Sequence, residues 1–577
     1  MGTCAQAIAD HLRASGVEHF FLVTGGDHAL WVEFRKKGIR QILARSESAA
    51  VYMADGYARV KGSAAFVYGQ YGPGAANVAG SLAEPWWSSS PVVVLASCMR
   101  RPHRYRFEYQ ELDQIPLFSP VTKWQAEASV PQQVPQLLRA ALLHALSGNP
   151  GPVYLGIPND MVGAPLDENS AGGPADTLLA PSRQTGAAQA LPLSYPLYRP
   201  QPTPGDVMEA ARLLAGAERP VFLVGNGIHA SRAYEPLRRV VEAIQAPVIT
   251  SLSGKGAIPE THPLAAGVSG RYSRVYANQC LRQADLVVAV GTRLGGLVTD
   301  SYRLLQPGTG LVHVDIDPVA PGFNFPVTLA IQADASAFLQ ALAAALAEVD
   351  LAARREERSR WLARVSEWRA AWSSKLAELA GWTAPPMRPE SLLVILKEEL
   401  PSDALVVADT GYAAAWAGAL YEVPIAGRGF IRSDGSLGWA FCAAMGARLA
   451  SPNRPVVAVT GDGGFGYHVG ELETAVRLRL PVVCIVLNNR SLAFEYHIQK
   501  LIYGQPVEEV DDYVDVDYGA VARQFGAQGR RVQTPEEFRA ALRQALRADG
   551  PVVIDALVDK EAIAPVTRYD AIRQREL

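Results

Sequence analysis

Two short apolar runs near the C-terminus constrain this chain more than any other feature: "VVAVTGDGG", starting at Val456, and "PVVCIVLNN", ending at Asn489. β-Branched residues in runs of this length are buried strands, and the apolar spacing from Val469 to Leu480, stopped by Pro481, predicts one helix between them. Strand, helix and strand in so few residues make a βαβ unit, so both strands end on the same sheet edge. Asp462 and Asn489, 27 positions apart, then emerge side by side. A carboxylate and an amide oxygen are hard ligands suited to Mg²⁺. Gly461, Gly463 and Gly464 carry no side chain, so a diphosphate can reach the N–H groups of a helix start, where the dipole favours anions.

The pattern recurs along all 577 residues, and Pro-, Gly- and Ala-rich seams divide them. The blocks are 1–165, 204–350 and 389–556, joined by a linker at 166–203 and a charged helical linker at 351–388. A tail, 557–577, is placed to cover the active site. Strands alternate with helices in each block, which predicts the α/β class: three doubly wound domains, each with a mainly parallel sheet. A net charge of −3, without basic stretches interleaved with aromatics, argues against a nucleic-acid partner. No apolar run reaches the ~18 residues of a membrane span. The N-terminus lacks the apolar core of a signal peptide, and the five cysteines are scattered without zinc or disulfide spacing. A cytoplasmic protein acting on a small molecule is expected.

Two further clusters carry chemistry. In "RSESAAVYMADGYAR", Glu47 falls in the first turn of a helix, a place where the helix dipole alone accounts for an acid. In the middle block, strands ending at Gly225, before Arg293 and at Asp315 line up on one edge and predict an adenine nucleotide, FAD or ADP. Gly225 would give backbone access, Arg293 a phosphate partner and Asp315 an acceptor for a ribose hydroxyl. No GxGxxG fingerprint is present.

Taken together, "GDGG" with "LNN", Glu47 in its helix, "YGPGAAN", "GPVYLGIPNDM", "GKGAIPETHPL", "HVDIDP" and "GSLGWAFCAAMGA" resemble the thiamine-diphosphate-dependent enzymes of the acetolactate synthase, benzoylformate decarboxylase, oxalyl-CoA decarboxylase and 2-hydroxyacyl-CoA lyase type. The likeness runs from Ala5 to about Ala556. It implies pyrimidine-binding, central nucleotide-binding-like and diphosphate-binding domains, in that order. It assigns Mg²⁺ to Asp462, Asn489 and the main-chain oxygen of Ser491, and the diphosphate to Gly463 and Gly464. Leu437 would wedge the cofactor into its bent shape, while Gly435 offers a carbonyl to the aminopyrimidine. Glu47 would sit against pyrimidine N1′ of cofactor held mainly by a partner protomer, so the resemblance implies at least a homodimer, with a homotetramer expected. Asp334, in "IQADA", joins the nucleotide candidates.

The reaction is read from mixed signals. "QELDQ" resembles the oxalyl-CoA decarboxylase and 2-hydroxyacyl-CoA lyase branch, whereas "VTKW", "GKGAIPETHPL" and "RVYANQ" lean toward acetolactate synthase. Ala413 stands where acetolactate synthases carry a histidine, and Arg490 where glycine is usual. The leading expectation is a lyase and carboligase that splits a 2-hydroxyacyl-CoA into a carbonyl compound and formyl-CoA. Glu495 would be its acid/base, assisted by Gln110, with Leu492 and Phe494 packed away from the reaction. The alternatives are acetolactate-synthase-like transfer from a 2-oxo acid, hydrolytic diketone cleavage, an FAD-dependent 2-oxo acid oxidase, and a non-catalytic nucleotide-binding subunit.

Overall fold

The computed structural model describes residues 2–166 and 192–567. Most of the 166–203 linker and the last ten residues of the tail lie outside the described residues. Three six-stranded sheets, parallel throughout, organise the chain. The first comprises β1 (His19–Leu22), β2 (Arg40–Leu43), β3 (Ala65–Gly69), β4 (Val92–Cys98), β5 (Gln125–Glu127) and β6 (Val153–Pro158). The second comprises β7 (Pro220–Val224), β8 (Val248–Thr250), β9 (Ala265–Val268), β10 (Leu286–Val290), β11 (Gly310–Asp315) and β12 (Leu329–Gln332). The third comprises β13 (Leu405–Ala408), β14 (Phe430–Arg432), β15 (Val456–Gly461), β16 (Val482–Asn488), β17 (Gln528–Val532) and β18 (Val552–Leu557).

The outer two sheets share one topology, β2-β1-β3-β4-β6-β5 and β14-β13-β15-β16-β18-β17, while the central sheet runs β9-β8-β7-β10-β11-β12. In each, strand order reverses between β1 and β3, β7 and β10, and β13 and β15. Connections leave in opposite directions there, opening a crevice beyond the strands' carboxyl ends. The strands read as continuous apolar runs because helices cover both faces. β16, for example, is buried along its whole length.

By packing, the chain divides into two units. One holds the first sheet, up to Tyr198, together with Cys442–Pro452 and Glu473–Leu478; the other holds the central and third sheets. Within the second unit, a buried ionic lock spans the two sheets. Lys255 and Glu260 of "GKGAIPETHPL" pair at 2.5 Å, and Glu260 also accepts the Val423 N–H at 2.8 Å. Arg274 completes the lock, donating to the Ala419 carbonyl at 2.8 Å. The charged segment after the central domain is one helix, Arg355–Ala380, which buries Trp361 and Val365 against the central core. Among the described residues no single helix is long and apolar enough to cross a membrane.

One local expectation fails. The single helix expected over 469–480 is instead two, Asp462–Tyr467 and Glu471–Arg477. The first starts on the strand's last residues despite three poor helix formers, Gly463, Gly464 and Gly466, because the strand end delivers Asp462 straight into a helical turn. The break between them carries His468, whose Nδ1 is hydrogen-bonded at 3.0 Å to the Gly438 carbonyl, a tertiary contact invisible to periodicity.

Candidate active site

The crevice between β13 and β15 opens into a cavity of about 350 Å³. Thr410, Gly411 and Tyr412 line it from the end of β13, Gly435 and Leu437 from the turn after β14, and Gly461 to Gly464 from β15. Asn489, Ser491 and Glu495 follow from β16. β15 and β16 are adjacent and in register, Gly461 opposite Leu487. Asp462 and Asn489 therefore do share one edge.

The two asparagines divide the work. Asn488, still in β16, points into the sheet and donates to Asp555 of β18 at 2.8 Å and to the Val516 carbonyl at 3.1 Å. Asp555 is also gripped by Arg531 at 2.7 Å. Asn489 turns to the cavity and folds the loop back, its Oδ1 accepting the Ser491 N–H at 3.0 Å. Arg490, between Asn489 and Ser491, has φ 61°, a left-handed conformation that glycine adopts without strain and an arginine rarely does.

Asp462 is buried, with Oδ1 accepting the Gly463 N–H at 3.0 Å and Oδ2 without a hydrogen-bond partner. Burial pushes its carboxyl up to about 7. An orphaned buried carboxylate oxygen beside an amide oxygen and the Ser491 main chain fits a hard divalent cation, whose charge would reverse that shift. Among the described residues no group of three or more His, Cys, Asp or Glu is placed to hold a metal ion. Close backbone approach needs the glycines. A Cβ on Gly464 would lie 2.7 Å from Thr460 Oγ1, and one on Gly463 2.8 Å from Leu492 Cδ2.

That second contact corrects another expectation. Leu492 and Phe494 do not pack away; both line the cavity beside Glu495, because the helix Ala493–Tyr503 begins at its rim and presents its first turn to it. Phe494 stands edge-on to Tyr412 and to Tyr272, with ring centroids 5.7 and 6.2 Å apart. Tyr412 is hydrogen-bonded through its hydroxyl to His497 Nδ1 at 2.6 Å. From the described part of the tail, Val558, Asp559 and Ala562 also line the cavity.

Several residues here escaped sequence reasoning. Asp409, immediately after β13, accepts hydrogen bonds from the N–H groups of Thr410, Gly438 and Ala440 and from the Thr460 hydroxyl. It thereby ties the turn bearing Gly435 and Leu437 to β15. Its signal was available, since an acid following "LVVA" mirrors Asp462 following "VVAVTG". Tyr272 had no local signal, because it arrives from the central domain.

Glu47 and Gln110 belong to the first unit, at the carboxyl edge of its sheet. Glu47 opens the helix Glu47–Lys61, capped by Ser46, and is half-buried; Asn77 donates to its Oε2 at 3.1 Å. Gln110 has φ 63° and packs its main chain over Gly72, with Gln70 Nε2 3.5 Å from its Oε1. Gln70 and Asn77 thus join the two residues read from sequence.

The central candidates separate. Gly225 and Arg293 follow β7 and β10, and Asp315 ends β11; these strands are neighbours in register, so the three residues share the edge at the order reversal. Burial pushes the Asp315 carboxyl up to about 6. Gly225 has a structural reason of its own, since a Cβ would meet the Gly291 carbonyl oxygen at 2.2 Å. Asp334 is consumed by the fold. Its Oδ1 caps the helix Ala335–Ala345 through the N–H groups of Ser336 and Ala337, while Oδ2 accepts from Arg199 at 2.9 Å and from the Ser231 hydroxyl.

Comparison with known proteins accords with this architecture. Three family models match in order: thiamine pyrophosphate enzyme N-terminal TPP binding domain over 2–117, central domain over 207–342, and C-terminal TPP binding domain over 409–556. A probable acetolactate synthase large subunit from Methanocaldococcus jannaschii is 32% identical, the alignment covering 97% of this chain and 93% of that protein. The acetolactate synthase large subunit of Parasynechococcus marenigrum is 31% identical over 96% and 87% of the two chains. Acetolactate synthase isozyme 3 large subunit of Escherichia coli is 30% identical over 90% and 88%.

Proposed function

The chain belongs to the thiamine pyrophosphate enzyme family, and from that premise we propose that it is a decarboxylating carboligase acting on a 2-oxo acid, in the manner of its acetolactate synthase relatives. It is a thiamine-diphosphate-dependent enzyme with a small-molecule substrate. Among the reactions open to such an enzyme, relatives named as acetolactate synthases support the 2-oxo acid reading over the thioester lyase expected first.

The observation that carries the proposal is the Asp462 oxygen left unpartnered inside a glycine-lined cavity at the order reversal of the third sheet. Asp462, Asn489 and the Ser491 carbonyl would hold Mg²⁺, and the N–H groups of the Gly463–Gly464 turn would take the diphosphate. Bound there, thiamine diphosphate supplies an electron sink for the carbon left when the bond beside a carbonyl breaks. Leu437 would support the cofactor, and Asp409, through the N–H groups of Gly438 and Ala440, keeps the turn bearing Leu437 in place. Glu47 holds a proton at pyrimidine N1′. As the family resemblance implies, this reading pairs the cavity of one protomer with Glu47 of a second in a homodimer. Leu492, Phe494, Tyr412 and Tyr272 exclude water from the reacting carbon.

The test incubates purified protein, thiamine diphosphate and Mg²⁺ with a panel of 2-oxo acids and of 2-hydroxyacyl-CoA thioesters. CO₂ release and products are followed by mass spectrometry. Metal- and cofactor-dependent CO₂ release from a 2-oxo acid supports the proposal; thioester cleavage without it restores the lyase reading.

A further inference from the structure

The loop that follows β16 is aimed by a short strap, Asp511–Tyr513, which supplies none of the proposed metal ligands. The Tyr513 N–H donates to the Arg490 carbonyl at 2.8 Å and the Leu492 N–H to the Asp511 carbonyl at 2.8 Å, flanking a single antiparallel bridge between Ser491 and Asp512. In a planar trans peptide the N–H and C=O point opposite ways. The plane joining Arg490 to Ser491 turns its carbonyl to the strap, so the Ser491 N–H points away from it and meets Asn489 Oδ1 at 3.0 Å. The plane joining Ser491 to Leu492 turns its N–H to the strap, so the Ser491 carbonyl also points away from the strap. The bridge therefore turns toward the Asn489 side the main-chain oxygen that the proposed function gives to Mg²⁺. It does so while Arg490 is held at φ 61°.

One bridge is a weak hold, because an isolated strand pair is at best marginally stable in water. The residues beside the strap add little, since Val510 is 64% and Val514 81% exposed. Ser491 and Asp512 form a non-hydrogen-bonded pair, whose side chains lie close together on one face. Lys560 of the C-terminal segment donates to both Asp512 oxygens at 2.7 Å, and its ammonium lies 4.1 Å from the centre of the Tyr496 ring. Glu561 takes the other end of the loop, accepting from the Tyr496 hydroxyl at 2.7 Å and pairing with Lys500 at 2.6 Å. Tyr496 and Lys500 belong to the helix Ala493–Tyr503 that continues from the loop. Lys560 and Glu561 thus fasten strap and helix to one segment. We infer, resting on the Mg²⁺ site of the proposed function, that Lys560 and Asp512 are positioning residues for that site: their ion pair keeps the strap on the loop and so keeps the Ser491 carbonyl aimed. Neither touches the metal. Residues that orient metal ligands typically contribute about ten- to a hundredfold in affinity, and a pair with side chains 28% and 30% exposed belongs at the low end.

The test titrates the full-length protein, saturated with thiamine diphosphate, with Mg²⁺. Quenching of tryptophan fluorescence follows binding, since Trp416 lines the cavity. A parallel titration with Mn²⁺ reads the free ion by electron paramagnetic resonance. Lys560→Met removes the charge and keeps a long side chain against Tyr496, while Asp512→Asn keeps the shape. Each is expected to weaken the apparent affinity for both metals about tenfold with the urea unfolding midpoint unchanged. The signs separate this role from plain attraction of the cation by Asp512. Under attraction, Lys560→Met leaves that carboxylate unpaired and tightens binding, whereas Asp512→Asn weakens it. Opposite signs, or an affinity within twofold of the wild type in either variant, overturns the inference. Asp462→Ala reports on the site itself. Loss of metal binding in that variant leaves the proposed site standing whatever the ion pair does, and wild-type metal affinity in it overturns the site and this inference together.

Discussion

Replacing Asp409 by asparagine separates what this buried acid costs from what it holds together. Asp409 is 1% exposed and accepts four hydrogen bonds, from the N–H groups of Thr410 (2.8 Å), Gly438 (3.0 Å) and Ala440 (3.3 Å) and from the Thr460 hydroxyl (2.9 Å). Burial outweighs those donors and pushes its carboxyl from 3.8 up to about 6. Between those values the folded chain keeps a proton that the unfolded chain has lost. This group's contribution to stability is therefore fully present below about pH 4 and is lost as pH rises to about 6, a total of about 3 kcal/mol. Asp409→Asn abolishes the titration. It keeps an acceptor for Thr410 and Gly438 but turns an NH₂ group toward the Ala440 N–H, at about 1–3 kcal/mol for the unsatisfied donor. The two effects nearly offset at neutral pH. The variant should match the wild type near pH 7.5 and fall about 2 kcal/mol further behind it at pH 4.5. Urea unfolding of the cofactor-free protein reads this through tryptophan fluorescence, since Trp416 and Trp439 lie on the flanking helices. A stability difference equal at both pH values would refute the reasoning.

The neighbouring asparagines should respond oppositely. Asn488→Ala breaks the tie to Asp555 and lowers stability by about 1–3 kcal/mol, whereas Asn489→Ala leaves the unfolding midpoint in place and abolishes Mg²⁺-dependent quenching by cofactor. Gly438→Ala places a Cβ 2.7 Å from Tyr467 and 2.9 Å from the Gly464 carbonyl at a φ of 84°; a fall in cofactor affinity with a lowered melting temperature is expected, and wild-type values for both would count against the tight turn. Glu47→Gln should bind cofactor normally while exchange of its C2 hydrogen slows by at least ~10², followed by deuterium NMR; unchanged exchange would remove Glu47 from the chemistry. Denaturing the purified protein and chromatographing the supernatant tests the central domain: released FAD or ADP supports the Gly225, Arg293 and Asp315 edge, and none released or bound on addition leaves it empty.

By itself the sequence determined the architecture and the placing of its edge residues. Short β-branched runs ending in Gly, Asp or Asn, spaced by helical segments, admit parallel doubly wound sheets and little else. Once β15 and β16 are parallel neighbours, Asp462 and Asn489 must share an edge. Ser46 and Glu47 likewise announce a helix start through capping, a property of adjacent residues. Tertiary structure decided whatever depends on groups far apart in the chain. Asp334 looks like a ribose acceptor by position, yet Arg199 and Ser231 take its second oxygen. The helix after Asp462 breaks because His468 reaches Gly438, and Leu492 faces the cavity because its helix starts at the rim. Tyr272 enters the site beside a buried lock of Lys255, Glu260 and Arg274, which joins the two sheets through residues more than a hundred positions apart. Periodicity reports which face of an element is apolar; it carries no information about which distant group will meet the polar one.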